Sequence, residues 1–179
     1  MTTLTNRPAP KVRRLHTVTD AQVRALADVL IDCVESGASV SFMHPLSPEK
    51  AQAFWRDVAA GVAAGERALM VAEDDEGVVG TVQLVLDQPE NQPHRADLSK
   101  MLVHRRARQH GLGAALMHAA ELVARESGKT LLVLDTASDD AARLYARMGW
   151  QACGVVPGFA LLPQGGFCET RFFYRKLGG

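Results

Sequence analysis

The chain has 179 residues, of which 47% are hydrophobic and 22% charged, a composition typical of a globular domain rather than a disordered one. Its 20 basic and 20 acidic residues balance, so no overall field favours binding to nucleic acid or to a membrane. Three cysteines without metal-ligand spacing argue against a disulfide framework or a zinc site. No segment resembles a signal peptide or a membrane span, which predicts a soluble, cytoplasmic protein.

The first part of the chain predicts a loose segment, a strand and a helix. Residues 1–10 carry two prolines and few apolar side chains, which indicates a flexible N-terminal tail. A strand is expected over 11–17. Thr19 and Gln22 have the spacing of a capping box at the start of the first helix, and Gly37 ends that helix.

A second helix and two strands follow. Ser47-Pro48 places a proline in the first turn of a helix, where its missing N–H costs nothing. Strands are predicted over 67–73 and 78–87, joined by the turn residues 74–77. Polar residues alternate with apolar ones in the second of these strands, so it should bury one face and leave the other partly polar.

A strand, a helix and another strand then form a crossover unit. The fourth strand (96–103) leads into a helix that runs to about residue 128, with Glu121 expected on its outer face. LLVLD (131–135) is a continuous apolar run, typical of a strand covered on both faces. The two strands should be parallel and joined by a right-handed crossover.

The last part predicts a short helix over 138–148, strands near 150–155 and 168–176, and a loop at 156–167. Tyr145 is expected at the edge of the buried face of this helix. The order of elements predicts a single domain of mixed α/β class over 11–179.

The glycine-rich turn before the third helix is the clearest functional signal. Backbone N–H groups in the first turn of a helix lack partners, and the helix dipole adds positive charge there. Gly111 and Gly113 would let a phosphate approach these amides, and Arg106 and Arg108 would add charge. A pyrophosphate fits best. The alternative is that the glycines only allow close packing.

RARQHGLGAAL (106–116), preceded by ADLSKMLV and followed after LLVLD by AARLYARMGW, resembles the GNAT N-acetyltransferase superfamily. The resemblance covers about residues 11–177. It implies a single GNAT-like acyl-CoA N-acyltransferase domain with a central mixed β-sheet, in which strands 4 and 5 are parallel and splayed, flanked by about four helices.

The resemblance implies acetyl-CoA as cosubstrate, with no metal. It places the pyrophosphate on the glycine-rich loop and the pantetheine arm beside Val103, between the two splayed strands. The residues implied to contact acetyl-CoA are Met101, Leu102, Val103, Arg108, Gln109, His110, Gly111, Leu112, Gly113, Ala114 and Tyr145.

Three residues are candidates for the chemistry, which is attack of a neutral amine on a thioester. A phenol is protonated at neutral pH, so Tyr145 is the candidate acid for the leaving thiolate; the alternative is a packing tyrosine. Asp135 and Asp97 compete as the base or as the holder of the substrate amine. The alternatives are a helix cap for Asp135 and a surface strand residue for Asp97.

The resemblance also implies a substrate side. GASVSFM (37–43), RADLSKMLV (95–103), LLVLDT (131–136) and VVPGF (155–159) are similar to the tabtoxin-resistance group of acetyltransferases, which carries glutamate at the position of Asp97 and tyrosine at that of Phe159. The implied acceptor is a small amine, amino-acid-like, or a toxin or antibiotic such as a tabtoxinine-type β-lactam. The residues implied to bind it are Ser39, Phe42, Met43, Asp97, Asp135 and Phe159.

Two other functions stay open at this point. One is a protein or peptide N-acetyltransferase, and the other is a non-catalytic acyl-CoA sensor that uses the same pocket. We expect neither a nucleic acid nor a membrane partner. A homodimer is an open expectation, with FFYRKL (172–177) as the candidate pairing strand.

Overall fold

The computed structural model describes residues 9–178, so the predicted tail of 1–10 lies outside the described part except for its last two residues. The elements in chain order are β1 (Lys11–Leu15), α1 (Asp20–Glu35), α2 (Pro48–Ala63), β2 (Arg67–Asp74), β3 (Gly77–Val85), β4 (Arg95–Val103), a 3-10 turn (Arg105–Ala107), α3 (Leu112–Glu126), β5 (Leu131–Thr136), α4 (Asp139–Arg147), β6 (Gln151–Leu161) and β7 (Phe167–Lys176). Within this range, no helix is long and apolar enough to cross a bilayer.

The strands form one mixed sheet in the order β1-β2-β3-β4-β5-β7-β6. β4 and β5 run parallel, and all other neighbours are antiparallel. The predicted fold class is therefore confirmed.

Helices cover the two faces of this sheet unequally. One buried cluster joins α1 and α2 to β1, β2 and β3, with Leu102 of β4 at its margin. The other joins α3 and α4 to the opposite face, from β2 across to Phe173 of β7. On the first face, no helix among the described residues covers β5 or β7, so that part of the sheet borders a cleft.

The helix starts behave as the sequence predicts. Thr19 Oγ1 accepts a hydrogen bond from Gln22 N at 3.2 Å, and Gln22 Oε1 accepts one from Thr19 N at 2.9 Å. Ser47 Oγ caps α2 with a single bond, accepted from Lys50 N at 3.2 Å. These caps are fixed by residues three apart, which is why local sequence suffices to predict them.

Two burial predictions are wrong because they depend on this layering. Thr81 and Gln83 are fully buried, so β3 is covered on both faces, with Thr81 Oγ1 donating to Met70 O at 2.9 Å. In β5, Leu132 and Leu134 are buried, whereas Val133 is only partly covered and Asp135 is exposed. β5 is thus covered on one face only.

The loop predicted at 156–167 is largely strand. β6 continues to Leu161, and the register with β7 jumps from Val156↔Thr170 to Ala160↔Cys168. The extra residues form a bulge that contains Pro157 and Gly158. An edge strand accommodates proline because one side of its backbone needs no partner, so these loop signals are compatible with a strand.

The expectation that Glu121 faces outward is also wrong. Its side chain is buried, accepts a hydrogen bond from Trp150 Nε1 at 3.0 Å and lies 3.7 Å from Arg175 Nε. Both partners come from distant segments, so the polar residue is drawn into the core by pairing that a helical pattern does not reveal.

We expect Glu121→Ala to lower the free energy of unfolding by about 2–4 kcal/mol, because it leaves the buried Trp150 indole N–H without its acceptor and removes the carboxylate that faces Arg175 at 3.7 Å. Chemical denaturation measures this loss. Glu126→Ala, an exposed change on the same helix, should alter stability by less than about 0.5 kcal/mol. Equal effects of the two substitutions would contradict the role assigned to the buried pair.

Candidate active site

β4 and β5 pair only at their amino-terminal ends. The register runs Arg95↔Leu131, Ala96↔Leu132 and Asp97↔Val133 and then stops, although β4 continues to Val103. A gap therefore opens at the carboxyl ends of two parallel strands, which is where open α/β sheets commonly bind ligands.

A bulge in β4 determines what faces this gap. Between the pairs Thr81↔Leu102 and Gln83↔Ser99, β4 has one residue more than β3, and Lys100 adopts a left-handed φ of 51°. Before the bulge, Leu98 packs on the α3 side of the sheet; after it, Leu102 packs on the α1–α2 side. The extra residue reverses the alternation of side chains.

The backbone of Val103 points toward the gap. His104 N donates to Val79 O of β3 at 2.8 Å, so the polar groups of Val103, one residue earlier, face away from β3. The Val103 carbonyl accepts Arg108 Nε at 3.0 Å and the Cys33 thiol at 3.6 Å. The Val103 N–H is directed to the side that β5 leaves open.

The first turn of α3 has no side-chain cap. Its N-cap is Gly111, with a φ of 72°, and the first intrahelical hydrogen bond runs from Ala115 N to Gly111 O at 3.1 Å. Gln109 precedes it with a φ of 66°. The amides at 111–114 and the positive end of the helix dipole therefore have the character of an anion site.

The two glycines have different structural causes. Gly111 is favoured by its left-handed backbone, which residues other than glycine rarely adopt. Close packing is not the reason, because a Cβ there would meet nothing within 4 Å. A Cβ on Gly113 would lie 3.0 Å from Leu144 Cδ2, so this glycine lets α3 approach α4. The close-packing alternative thus explains Gly113.

The arginines of the loop also differ. Arg106, expected beside the anion, instead donates to Asp74 at 2.6 Å and to Glu76 at 3.1 Å in the β2–β3 hairpin. Arg108 is not paired with that hairpin: its side chain is 41% exposed, donates to Val103 O at 3.0 Å and lies 3.8 Å from Asp32. A role for Arg108 at the anion site stays a prediction.

A buried carboxylate that sequence reasoning missed anchors this loop. Asp32 of α1 is 7% exposed, accepts from Arg105 N at 2.9 Å and also pairs with the Arg105 guanidinium. His104 Nε2 lies 3.6 Å and Arg108 Nη2 3.8 Å from the same carboxylate. The available signal was an aspartate within the apolar inner face of α1.

The other residues predicted to contact the cofactor fall into two groups. Leu102 and Leu112 are buried in the two cores, so only their backbones can reach a ligand. Met101 and Ala114 are partly exposed, and His110 is exposed, with Nδ1 2.6 Å from Arg108 O.

Tyr145 is buried rather than at the edge of α4. It is 4% exposed and its ring packs against Trp150 and Phe173, with centroids 6.1 Å and 5.8 Å away. Among the described residues its hydroxyl has no hydrogen-bond partner. Burial raises the pKa of Tyr145 well above that of a free phenol, and the charge of Asp135 raises it further.

Asp135 lies on the open face of β5. It accepts a hydrogen bond from Thr170 Oγ1 of β7 at 2.7 Å and does not cap α4. That cap is Ser138, whose Oγ accepts from Ala141 N at 3.2 Å, so the helix-cap alternative for Asp135 is wrong. Asp135 shares its face of the sheet with Val133 and, through the register, with Asp97.

Asp97 is already paired within the chain. Its carboxylate forms an ion pair with Arg95, two residues earlier on the same face of β4. Gln88 Nε2 donates to it at 3.2 Å and Gln88 Oε1 accepts from Arg95 at 2.6 Å. These contacts neutralise Asp97, whereas Asp135 has no cation within 4 Å in the described structure.

The loop after α1 forms the wall of the cleft. Ser39 Oγ lies 3.4 Å from Leu161 O and 3.6 Å from Cys168 Sγ, and His44 N donates to Pro163 O at 3.0 Å. This loop is therefore joined to the β6–β7 hairpin.

The predicted substrate residues occupy different parts of this wall. Phe42 packs on Phe54 with centroids 5.3 Å apart, and Met43 is 44% exposed. Phe159 is exposed and lies edge-on to Phe172, the β7 partner of Asp135, at 5.9 Å. Phe42 is thus partly a core residue, while Phe159 borders the cleft from the β6 bulge.

Lys100 was missed by sequence reasoning although it lies in the same cleft. Its Nζ is 3.2 Å from Ser41 Oγ in the wall. A signal was present: apolar residues alternate at 96 and 98 but are consecutive at 101–103, which indicates an irregularity at Ser99-Lys100.

Comparison with known proteins identifies the family. A model of the acetyltransferase (GNAT) domain matches residues 65–152. An Azospirillum brasilense protein, named as an uncharacterized N-acetyltransferase in the hisH-hisA intergenic region, is 33% identical over 126 residues, which are 69% of this chain and 73% of that protein.

Solved structures share the fold. A ribosomal-protein-alanine N-acetyltransferase from Brucella melitensis superposes with a TM-score of 0.76 at 23% identity, covering 93% of this chain and 99% of that one. A phosphinothricin acetyltransferase from Sinorhizobium meliloti, in complex with AcCoA, gives 0.76 at 18% identity, covering 96% and 90%. The chain belongs to the GNAT family of acetyl-CoA-dependent N-acetyltransferases.

Proposed function

We propose that this protein transfers the acetyl group of acetyl-CoA to the amine of a small, amino-acid-like acceptor by direct attack, through a single catalytic domain over 11–179. The observation that carries the proposal is the gap between β4 and β5, which has the uncapped end of α3 on one side and Asp135 on the other.

The chain's own groups suit the binding of acetyl-CoA, which supplies the acetyl thioester. The free amides at 111–114 and the Arg108 guanidinium offer hydrogen bonds and positive charge to a diphosphate. The Val103 N–H offers a donor to the carbonyl oxygen, where negative charge develops during attack.

Asp135 is the better candidate to hold or deprotonate the acceptor amine. It is exposed to the cleft and unpaired by any cation within 4 Å, whereas Asp97 is already neutralised by Arg95. A free carboxylate attracts an ammonium group and, directly or through a water, accepts its proton.

Tyr145 then donates to the leaving thiolate. Its phenol stays protonated because burial raises its pKa, and its hydroxyl has no partner among the described residues that would compete for the donor. A hydrogen bond from the phenol stabilises the sulfur anion as the carbon–sulfur bond breaks. The thiolate takes up the proton that the attacking nitrogen loses, so the coenzyme leaves as the thiol.

The wall of the cleft favours a small acceptor over a peptide, because the loop at Ser39 and His44 is joined to the β6–β7 hairpin. The resemblance to tabtoxin-resistance acetyltransferases and the likeness to a phosphinothricin acetyltransferase support an amino-acid-like toxin or antibiotic as the acceptor. Resistance to such a compound in the cytosol is the biological role we propose.

The test is thiol release from acetyl-CoA with a panel of amino acids and amino-acid-like antibiotics. We expect turnover by the wild type, and a loss of about a hundredfold in kcat for Tyr145→Phe and for Asp135→Asn. Asp97→Asn should lose less, because Arg95 already neutralises that carboxylate.

Isothermal titration calorimetry of the same variants with coenzyme A controls for folding and cofactor binding. Both Tyr145→Phe and Asp135→Asn should still bind. Coenzyme A binding without thiol release on any amine would instead favour a non-catalytic sensor, and release only with a protein N-terminus would favour the peptide enzyme.

The raised pKa of Tyr145 makes a second prediction. In Tyr174→Phe, Tyr145 is the remaining tyrosine of the two in the chain, so ultraviolet absorbance reports its ionisation alone. We expect no phenolate near pH 10 while the protein is folded. Because the unfolded chain loses this proton first, the free energy of unfolding should fall as pH rises above about 10. A folded-state midpoint near pH 10 would contradict the burial of Tyr145.

We also propose a homodimer that pairs through β6. Most of 172–177 lies in β7, between β5 and β6, so that segment has no free edge. β6 is the edge strand, all but one of its residues are exposed, and residues 151–162 carry no charge. Large exposed apolar side chains cluster in β6 and in the turn from β6 to the start of β7: Val155, Val156, Phe159, Leu161, Leu162 and Phe167. A second copy supplies a self-complementary edge.

Sedimentation velocity tests this proposal. The wild type should sediment as a dimer, and Val155→Lys with Val156→Lys should shift it to the monomer, because charge on an edge strand opposes pairing. Leu122→Lys, a change at an exposed leucine of α3, should leave the dimer intact. A monomeric wild type would overturn the proposal.

A further inference from the structure

The cleft contains a cation as well as carboxylates. Lys100, at the β4 bulge, directs its Nζ to Ser41 Oγ at 3.2 Å and lies 5.6 Å from the centroid of the Phe54 ring. Ser41 lies in the loop after α1 and Phe54 lies on α2, on the same side of the sheet as Asp135. The ammonium group therefore faces the cleft that Asp135 also faces. The left-handed backbone at Lys100 is what turns the side chain out of the strand's alternation.

This ammonium has no counter-ion in the described part of the chain. No carboxylate lies within 4 Å of Nζ, and its neighbours are a hydroxyl and an aromatic ring. Burial lowers the pKa of Lys100, while the charge of Asp135 raises it and Arg67 lowers it. A partly buried cation without an anion is costly, so a negatively charged ligand group beside Lys100 would be stabilised.

Lys100 and Asp135 belong to the two strands that border the gap. Asp135 lies two residues after Val133, the partner of Asp97 in the last pair, and Lys100 lies three residues after Asp97. The two groups are near enough for the charge of Asp135 to raise the pKa of Lys100. Their opposite charges interact, yet they are more than 4 Å apart and form no ion pair. Each charge is therefore available to a ligand group of opposite sign.

We propose that Lys100 binds the carboxylate of the acceptor while Asp135 takes its amine, so that the acceptor is a free α-amino acid or a close analogue. The inference rests on the proposed acetyltransfer and specifies its substrate class. The amine and carboxylate of an α-amino acid are attached to one carbon, which suits two opposite charges on the two strands that border the gap. A peptide N-terminus lacks this carboxylate, so Lys100 also acts against peptide acceptors.

The test compares free amino acids with their α-carboxamides, which keep the amine and side chain but lose the negative charge. Thiol release from acetyl-CoA should give a kcat/KM about ten- to a hundredfold higher for the acids, mainly through KM, as expected for a hydrogen-bonded charge. Lys100→Met, which keeps the length of the side chain, should bring the ratio of acid to amide close to one. Lys100→Arg should keep much of the preference.

Lys50→Met removes an exposed lysine from the first turn of α2 and should leave both substrates unaffected. A general weakening of the fold would lower the rates for acids and amides together, so the ratio separates recognition from stability. A wild-type ratio near one, or a ratio unchanged in Lys100→Met, would overturn this inference and leave the acetyltransfer intact. No release with any amine would overturn the proposed acceptor class, and this inference with it.

Discussion

The separation of β4 from β5 after Asp97 is the constraint on which the site depends. If β4 and β5 stayed paired beyond this point, the N–H of Val103 would be hydrogen-bonded to β5 and no gap would lie beside Asp135. The bulge at Lys100 follows this separation three residues later, and its extra residue reverses the faces of β4. The bulge thus places the charge of Lys100 beside the opening.

Charges in this part of the molecule are divided between structure and function. Asp32, Asp74 and Asp97 are each held by an arginine and fix loops or strand ends. In the described chain, neither Asp135 nor Lys100 has an oppositely charged group within 4 Å. Groups that remain uncompensated in a concave region are the ones most available to a ligand, which is why the two are more informative than the paired residues around them.

The sequence predicts well what depends on neighbours in the chain. The capping box at Thr19, the start of α2 at Ser47 and the parallel crossover between β4 and β5 follow from local spacing and chain order. The burial of Glu121 and the one-sided cover of β5 could not be predicted in this way, because they depend on Trp150, Arg175 and the lateral extent of α1 and α2. The long β6 was missed because Pro157 and Gly158 are loop signals that a bulged edge strand tolerates.

Arg108 lies across the end of β4 and donates to the carbonyl of Val103 while facing Asp32 on α1. A ligand amide that paired with this carbonyl would compete with the guanidinium, so entry exchanges one donor for another instead of filling an idle acceptor, with little net gain in energy. The displaced cation would then be free to move toward the first turn of α3. Arg108 occupies the acceptor that such an amide would use, so binding of one end of a long molecule at the strand edge would release positive charge for its other end.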